Sequence, residues 1–264
     1  MIDPNLDLSQ DFAERPGTAL VVGGSGGLGA SIVEALIARG SDVALTFRSN
    51  GDAADRLARQ AGDHQRRAWT VQLDLRNHAG CRAAVDSVSE DAGGIHTLVY
   101  AAGPHVPQRH LSLVSPEEVR DQLEADAAGF FAVAVACLPH LRRSEGSIVA
   151  VTTAATDRYP VRDGLSSIPK AAVQAAVRGI AAEEGRFGVR ANSVGPGMLT
   201  DGMAERLMAS GDLDDEALEV ARRNIPLHRF GVAADIAEAV CFLASPRAGF
   251  VSGQHLNVDG GFTV

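Results

Sequence analysis

Short apolar segments rich in β-branched residues alternate with helical patterns along this chain from Thr18 onward. The apolar segments are nearly continuous in hydrophobic residues, as strands covered on both faces must be. Strands are predicted at 19–22, 43–47, 68–73, 97–100, 148–152 and 190–194, and helices near 27–39, 52–61, 78–90, 115–140, 166–186 and 233–244. Right-handed crossovers join such elements into a parallel sheet between two layers of helices. The alternation therefore predicts a doubly wound, three-layer α/β fold.

One domain is expected over residues 17–264, because no Pro/Gly/Ser-rich linker and no internal repeat interrupts the alternation. Residues 1–16 carry scattered acidic residues and are predicted to form a loosely held N-terminal arm. The polar stretch near 200–226 breaks the alternation. Segments of this kind often cover active sites, so a helical lid is predicted there.

Composition excludes several classes of protein. With 45% hydrophobic residues the 264-residue chain is not largely disordered. A net charge of -9 disfavours nucleic acid and anionic membranes as partners. The longest apolar run, 127–138, is shorter than the roughly 20 residues that a bilayer requires.

The three cysteines are predicted to be reduced core residues, with no disulfide and no metal site. No secretion signal is recognised, and we expect a soluble cytoplasmic protein.

A glycine-rich loop follows the first predicted strand and leads into an apolar helix. Its glycines allow a sharp turn and a close approach to a pyrophosphate, while the helix N-terminus presents free N–H groups. The position at the first strand-to-helix turn makes this a dinucleotide-binding loop rather than a flexible turn. The loop reads Gly23-Gly24-Ser25-Gly26-Gly27-Leu28-Gly29.

The end of the second strand predicts which dinucleotide binds. An NAD-specific protein places Asp or Glu there for the ribose 2′-hydroxyl, whereas this chain has Arg48 and Ser49. A guanidinium and a hydroxyl suit a 2′-phosphate, which favours NADP(H) as the cofactor. Asp74, after the third strand, either accepts a hydrogen bond from the adenine amino group or caps the following helix.

Four motifs occur in order between residue 18 and the C-terminus. They are the glycine loop, Ala101-Ala102-Gly103, Asn192-Ser193-Val194-Gly195-Pro196-Gly197, and Ser252-Gly253-Gln254 with Asp259-Gly260-Gly261-Phe262. In this order they resemble the short-chain dehydrogenases/reductases, and especially the 3-oxoacyl-[acyl-carrier-protein] reductases. The resemblance implies a Rossmann-type sheet of about seven strands, with nicotinamide at the carboxyl ends of the strands. Besides Arg48, Ser49 and Asp74, it implies these cofactor-binding residues: Gly23, Ser25, Gly27, Leu28, Gly29, Leu75, Ala101, Ala102, Gly103, Lys170, Pro196 and Gly197.

The catalytic motif of that family is altered here. The family normally uses Tyr-x-x-x-Lys, an upstream Ser, and an Asn in the preceding long helix. Lys170 is present, but Ser166 stands at the tyrosine position. Thr153 replaces the serine and Asp126 replaces the asparagine. The resemblance therefore implies an atypical active site.

The loss of the tyrosine bears on the reaction. Ketone reduction builds an alkoxide that needs a proton, and a serine hydroxyl is a far weaker acid than tyrosine. Reduction of a C=C bond conjugated to a thioester carbonyl builds an enolate, which Lys170 can stabilise. The peroxisomal-type 2,4-dienoyl-CoA reductases of the same superfamily lack the tyrosine and use an aspartate with the lysine, which Asp126 and Lys170 resemble.

Three residues keep two interpretations each. Tyr159 is either a proton donor or part of the substrate wall and loop packing. His105 is either a general acid or an ordinary loop histidine. Asp126 either takes part in proton transfer or only holds the Lys170 ammonium in place.

The leading functional prediction is an NADPH-dependent reductase of an acyl-thioester or polyketide-like substrate, acting without a tyrosine. One alternative is a β-keto reductase that uses Tyr159 or water as the acid. The other is a nucleotide-binding protein without catalysis.

The resemblance also implies a homotetramer, formed through the apolar 127–138 and 171–182 helix faces and the tail around 250–258.

Overall fold

The computed structural model describes residues 10–104, 106–200 and 215–264. Within them, seven strands form one sheet in the order β3-β2-β1-β4-β5-β6-β7, and every neighbouring pair is parallel. The strands are β1 Thr18–Val22, β2 Val43–Phe47, β3 Ala68–Gln72, β4 Ile95–Tyr100, β5 Ser147–Val151, β6 Arg190–Pro196 and β7 His255–Val258. The predicted Rossmann-type α/β fold is confirmed.

Helices cover both faces of the sheet. They are α1 Gly27–Ala38, α2 Gly51–Asp63, α3 His78–Ala92, α4 Pro116–Gln122, α5 Gly129–Ser144, α6 Gly164–Glu184, α7 Asp215–Arg223 and α8 Ala233–Ala244. One hydrophobic core lies between the sheet and α1, α2 and α8, and a second lies between the sheet and α3, α5 and α6. The three cysteines are all buried and form no disulfide; one lies in the first core and two lie in the second.

The strand order reverses at the centre of the sheet. Strand β1 pairs with β2 on one side and with β4 on the other, so the chain crosses back over β1. At such a point the loops after the two strands diverge and leave a crevice at their carboxyl ends. The glycine loop after β1 and the Ala101–Gly103 turn after β4 lie at this crevice.

Helices α4 and α5 form one continuous helical run, Pro116–Ser144, joined by a π-helical turn at Leu123–Ala128. In the described part of the chain it is the one helix long and apolar enough to cross a membrane. Its α5 part packs on α3 and β4, and Phe130, Val133 and Leu141 are fully buried there. The run therefore serves as a core helix in this fold, and its π-helical turn carries Asp126.

The N-terminal arm is anchored where the structure describes it. Phe12 is 1% exposed and stacks on His96, with ring centroids 5.9 Å apart, and Asp11 pairs with Arg247 at 2.8 Å. Burying a phenylalanine contributes about 1.5–3 kcal/mol. The expectation of a loosely held arm is thus wrong for residues 10–16, while residues 1–9 lie outside the described part.

The predicted lid is described only in part. Residues 201–214 lie outside the described residues, and helix α7 follows them at Asp215–Arg223. A short parallel bridge joins Leu199 to Gly231 on either side of this segment. Ala221, Asn224 and Ile225 line the crevice. A closing motion of the lid stays a prediction.

Candidate active site

A cavity of about 880 Å³ occupies the crevice at the carboxyl ends of the strands. Its floor consists of the start of α1 and of the turns that follow β4, β5 and β6. Its walls come from the end of α4, the loop before α6, and α7. A cavity of this size suits a small organic ligand or cofactor. It brings together the following predicted residues: Gly27, Leu28, Gly29, Ala101, Ala102, Gly103, Asp126, Thr153, Ser166, Lys170, Pro196 and Gly197.

The glycine loop forms a cradle that side chains would fill. A Cβ added at Gly29 would lie 2.1 Å from the carbonyl oxygen of Gly23, and one at Gly24 would lie 2.6 Å from Cβ of Leu45. Gly23 itself has φ +80° and its N–H donates to Thr46 Oγ1 at 3.0 Å. The N-cap residue of α1, Gly26, provides no side-chain cap. The N-terminus of α1 can therefore bind the pyrophosphate of a dinucleotide. Ser25 is half-buried and does not line the cavity.

Arg48 and Ser49 are both exposed directly after β2. The Arg48 carbonyl oxygen accepts a hydrogen bond from Gln72 Nε2 at 3.0 Å, which fixes the backbone here. Its guanidinium forms no ion pair with any described residue, so it can bind an anionic group of a ligand. Asn50, the next residue, caps α2 by accepting from Ala53 N.

Asp74 does not cap the helix that follows it. The N-cap of α3 is Asn77, whose Oδ1 accepts from Gly80 N at 3.0 Å. Asp74 Oδ1 instead accepts from Arg76 N at 3.0 Å in a turn before the helix, so the N-cap interpretation is wrong. Asp74 is exposed, and the adjacent Leu75 packs against Gly129, at which a Cβ would lie 2.8 Å from Leu75 Cβ. A role for either in adenine binding stays a prediction.

Lys170 and Asp126 form a buried ion pair in the cavity. Lys170 Nζ lies 3.0 Å from Asp126 Oδ1 and donates a second hydrogen bond to the Ala102 carbonyl oxygen at 2.9 Å. Asp126 is only 2% exposed and Lys170 only 9%. An ammonium has three donors, and the described residues accept two of them. One N–H therefore remains for a ligand in the cavity.

Neither of the two tyrosines, both described, lines the cavity. Tyr100 lies under the ion pair, where its hydroxyl donates to the Asp126 carbonyl oxygen at 2.9 Å and its ring lies 5.3 Å from Lys170 Nζ. Burial and the neighbouring Asp126 raise the pKa of Tyr100 well above its usual value. Tyr159 is 47% exposed, although its neighbours Pro160 and Val161 line the cavity. A catalytic role for Tyr159 stays a prediction.

The two hydroxyl residues of the altered motif do line the cavity. Thr153 is half-buried after β5, and its Oγ1 accepts from Ala155 N at 3.1 Å. Ser166 is half-buried in the first turn of α6, four residues before Lys170. Residues at i and i+4 share one face of a helix, so Ser166 and Lys170 face the cavity together. His105 lies outside the described residues.

Sequence reasoning missed Asp163 and Gln108, which meet in the cavity wall. Gln108 Nε2 donates to Asp163 Oδ1 at 3.1 Å. Burial raises the pKa of Asp163, although hydrogen bonds from the Gln108 and Ser166 side chains stabilise its carboxylate and act in the opposite direction. Asp163 is the N-cap residue of α6, but its side chain makes no capping hydrogen bond. The one sequence feature that marks Asp163 is its position just before a helix. That feature indicates only an ordinary N-cap residue.

Comparison with known proteins agrees with this geometry. A sequence profile described as "Enoyl-(Acyl carrier protein) reductase" matches residues 23–263. A protein named as ketoacyl reductase 2 of the granaticin polyketide synthase of Streptomyces violaceoruber is 33% identical, over 96% of this chain and 98% of its own length. The peroxisomal 2,4-dienoyl-CoA reductase of Saccharomyces cerevisiae, named as (3E)-enoyl-CoA-producing, is 31% identical over 92% and 82%.

A solved structure shows the same likeness in three dimensions. A short-chain dehydrogenase from Burkholderia cenocepacia, in complex with NADP, superposes with a TM-score of 0.85 at 29% identity, covering 98% of this chain and 100% of that one. The profile match spans nearly the whole chain, and the sheet order and glycine cradle agree with it. The chain belongs to the short-chain dehydrogenase/reductase family of oxidoreductases, whose members bind NAD(P).

Proposed function

We propose that this protein is an NADPH-dependent reductase that saturates a C=C bond conjugated to the carbonyl of an acyl thioester, without a tyrosine. The observation that carries the proposal is the buried Lys170–Asp126 ion pair in a cavity that neither tyrosine lines. When bound, NADPH supplies the hydride. Every other requirement of the reaction falls to residues of this chain.

The residues that would hold NADPH form a continuous path. The N-terminus of α1 and its glycine cradle suit the pyrophosphate, and the exposed Arg48 with Ser49 suits a 2′-phosphate. The Ala101–Gly103 turn and Pro196–Gly197 line the inner end of the cavity beside Lys170. The family relative with bound NADP supports the choice of NADP over NAD.

Lys170 suits the charge that develops on the substrate. Conjugate reduction of an enoyl thioester moves negative charge onto the carbonyl oxygen, and a preorganised ammonium in a poorly hydrated site stabilises such a charge. Its remaining N–H can reach that oxygen because Asp126 and Ala102 hold the other two. In this arrangement Asp126 acts as a positioning residue, and the buried pair keeps both charges compensated.

The walls of the cavity suit an acyl chain. Apolar side chains line it from the loop after β4, from the loop before α6 and the first turn of α6, from the turn after β6 and from the segment after α7. They include Val106, Val161, Leu165, Met198, Leu199 and Ile225. Such a surface binds hydrocarbon and few hydrogen-bonding groups. The similarity to a dienoyl-CoA reductase and to a polyketide ketoacyl reductase supports a thioester substrate.

The test is NADPH oxidation with matched thioesters. A 2-enoyl, a 2,4-dienoyl and a β-ketoacyl thioester of equal chain length are compared, with the product identified by mass spectrometry. We expect the enoyl or dienoyl substrate to be reduced with a kcat/KM at least about tenfold above that of the β-keto substrate. A preference for the β-keto substrate would indicate the ketoreductase alternative. Tight NADPH binding without turnover on any substrate would indicate a protein without catalysis.

We also propose that the protein is a homotetramer, as its family resemblance implies. Large apolar side chains stand exposed on the surfaces expected to pair, including Phe131 on α5 (54% exposed) and Phe250 before β7 (fully exposed). Exposed apolar groups of this kind mark association surfaces when they are contiguous. Light scattering at micromolar concentration should give a mass well above the 27.5 kDa of one chain. The cytoplasmic location stays a prediction.

A further inference from the structure

Two carboxyl groups line the cavity in opposite environments. Asp126 forms an ion pair with the Lys170 ammonium, whose Nζ lies 3.0 Å from Asp126 Oδ1. Asp163 forms no ion pair among the described residues, and its hydrogen-bond partners are the uncharged side chains of Gln108 and Ser166. Two carboxyls with such different surroundings can divide the work of an active site between a charged and a protonated form.

We propose that Asp163 is the general acid of this enzyme and replaces the missing tyrosine. The inference rests on the proposed function, and it concerns a residue that no sequence motif indicates. Asp163, Ser166 and Lys170 follow one another along the cavity face of α6, at the N-cap, in the first turn and in the second turn. All three side chains belong to residues that line the same cavity.

The proton balance of the reaction is simple. Saturation of the C=C bond adds one hydride and one proton to the substrate. The O–H bond of Asp163 breaks, its proton forms the new C–H bond with the electron pair of the enolate, and Asp163 is left as a carboxylate. A proton taken up from bulk solvent then restores the acid form of Asp163. We assign Gln108 and Ser166 as positioning residues, because their side chains hydrogen-bond to the carboxyl.

Burial is the largest influence on the pKa of Asp163. Burial disfavours the carboxylate, which raises the pKa of this group. The other titratable or charged groups that line the cavity, within the described residues, are His110, Asp126, Arg162 and Lys170. The Lys170 charge is compensated by Asp126, while His110 and Arg162 are exposed at the rim and screened by water. Arg109 does not line the cavity, and it pairs with Glu118.

The first test compares two Asp→Asn variants. Asp163→Asn removes the acid but keeps a good N-cap residue for α6. Asp121→Asn makes the same chemical change at an exposed position on α4 that does not line the cavity. We expect kcat on the preferred thioester to fall about 10²-fold or more in Asp163→Asn and to stay unchanged in Asp121→Asn. Asp163→Asn with a wild-type kcat would overturn the proposal.

The second test does not depend on turnover. Difference infrared spectroscopy between wild type and Asp163→Asn follows protonation of this one carboxyl with pH. We expect its titration midpoint to lie above the ordinary aspartate value of 3.8, and to rise further in Gln108→Leu, which removes a donor to the carboxylate. As a separate kinetic readout, kcat should fall as the pH rises through the same midpoint. A midpoint at or below 3.8 would overturn the proposal.

These results test the role of Asp163 separately from the identity of the substrate. If wild type reduces only the β-keto thioester and Asp163→Asn loses that activity, the proposed function fails and Asp163 is still the proton donor. If the enoyl thioester is reduced equally by wild type and Asp163→Asn, the proposed function holds and this inference fails. Absence of turnover on every thioester would overturn both.

Discussion

The two ends of the cavity differ in whether backbone or side chains form their surface. At the glycine-loop end the surface is backbone, and added Cβ atoms at Gly24 or Gly29 would collide with their neighbours. At the α6 end the surface is side chains, held by contacts between residues far apart in the chain, such as Lys170 with Asp126 and Asp163 with Gln108. The first end keeps the geometry that any dinucleotide requires. The second can change its chemistry while the fold stays the same.

The largest expected effect tests the α6 end. Lys170→Ala removes the donor that we assign to the carbonyl oxygen, and loss of one such donor costs about 10²–10³ in kcat. Single-turnover rates with saturating NADPH would measure the effect apart from cofactor binding. Lys170→Ala with more than about a tenth of the wild-type rate would mean that charge stabilisation lies elsewhere in the cavity.

A smaller effect is expected at the glycine-loop end, where a side chain only selects the cofactor. Loss of one charge-assisted contact costs about 1.5–3 kcal/mol, so Arg48→Ala should weaken NADPH binding roughly tenfold or more. Binding of NADH should be spared, since it lacks the 2′-phosphate. Dissociation constants for both cofactors, measured on the same preparations, give the comparison. An equal loss of affinity for NADPH and NADH would contradict the assignment of Arg48 to the 2′-phosphate.

Asp126→Asn should change turnover by less than about tenfold, because asparagine still accepts a hydrogen bond from Lys170. If Asp126 transferred a proton, the same change would slow turnover by about 10²-fold or more. Lys170 is the only lysine in the chain, so lysine-labelled protein gives a single side-chain NMR signal. We expect that signal to shift in Asp126→Asn, which reports the lost charge partner directly. An unmoved signal would contradict the pairing.

Ser166→Ala should have the smallest effect, within about threefold on kcat, because a serine hydroxyl is too weak an acid to replace tyrosine. Its hydroxyl helps to fix Asp163 but does not donate to substrate in this account. The pH profile should move slightly upward, since the carboxylate loses one donor. A collapse of activity on the preferred thioester would assign the proton to Ser166 itself.

The sequence predicts the glycine-loop end of the cavity, which consists of backbone, far better than the α6 end, which consists of side chains. Strand and glycine-loop positions follow from local patterns, and the structure places the six predicted strands within two residues of the expected bounds. Asp163 could not be predicted as more than a cap, because only the fold brings Gln108 beside it. Asp74 and Asn77 are both good cap residues, and the turn between them decides which one caps α3. The apolar residues of the N-terminal arm, among them Ile2, Leu6, Leu8 and Phe12, are irregularly spaced, so no periodicity indicates the burial of Phe12.

We propose that this site reduces a conjugated C=C bond without a tyrosine. The most direct measurement is the ratio of kcat/KM for the enoyl thioester to that for the β-keto thioester, in wild type and in Ser166→Tyr. The variant rebuilds Tyr-x-x-x-Lys with Lys170, and a tyrosine acid serves ketone reduction. We expect wild type to prefer the enoyl substrate and Ser166→Tyr to raise β-keto activity more than enoyl activity. A wild type that reduces the β-keto thioester faster, and loses that activity in Ser166→Ala, would contradict it.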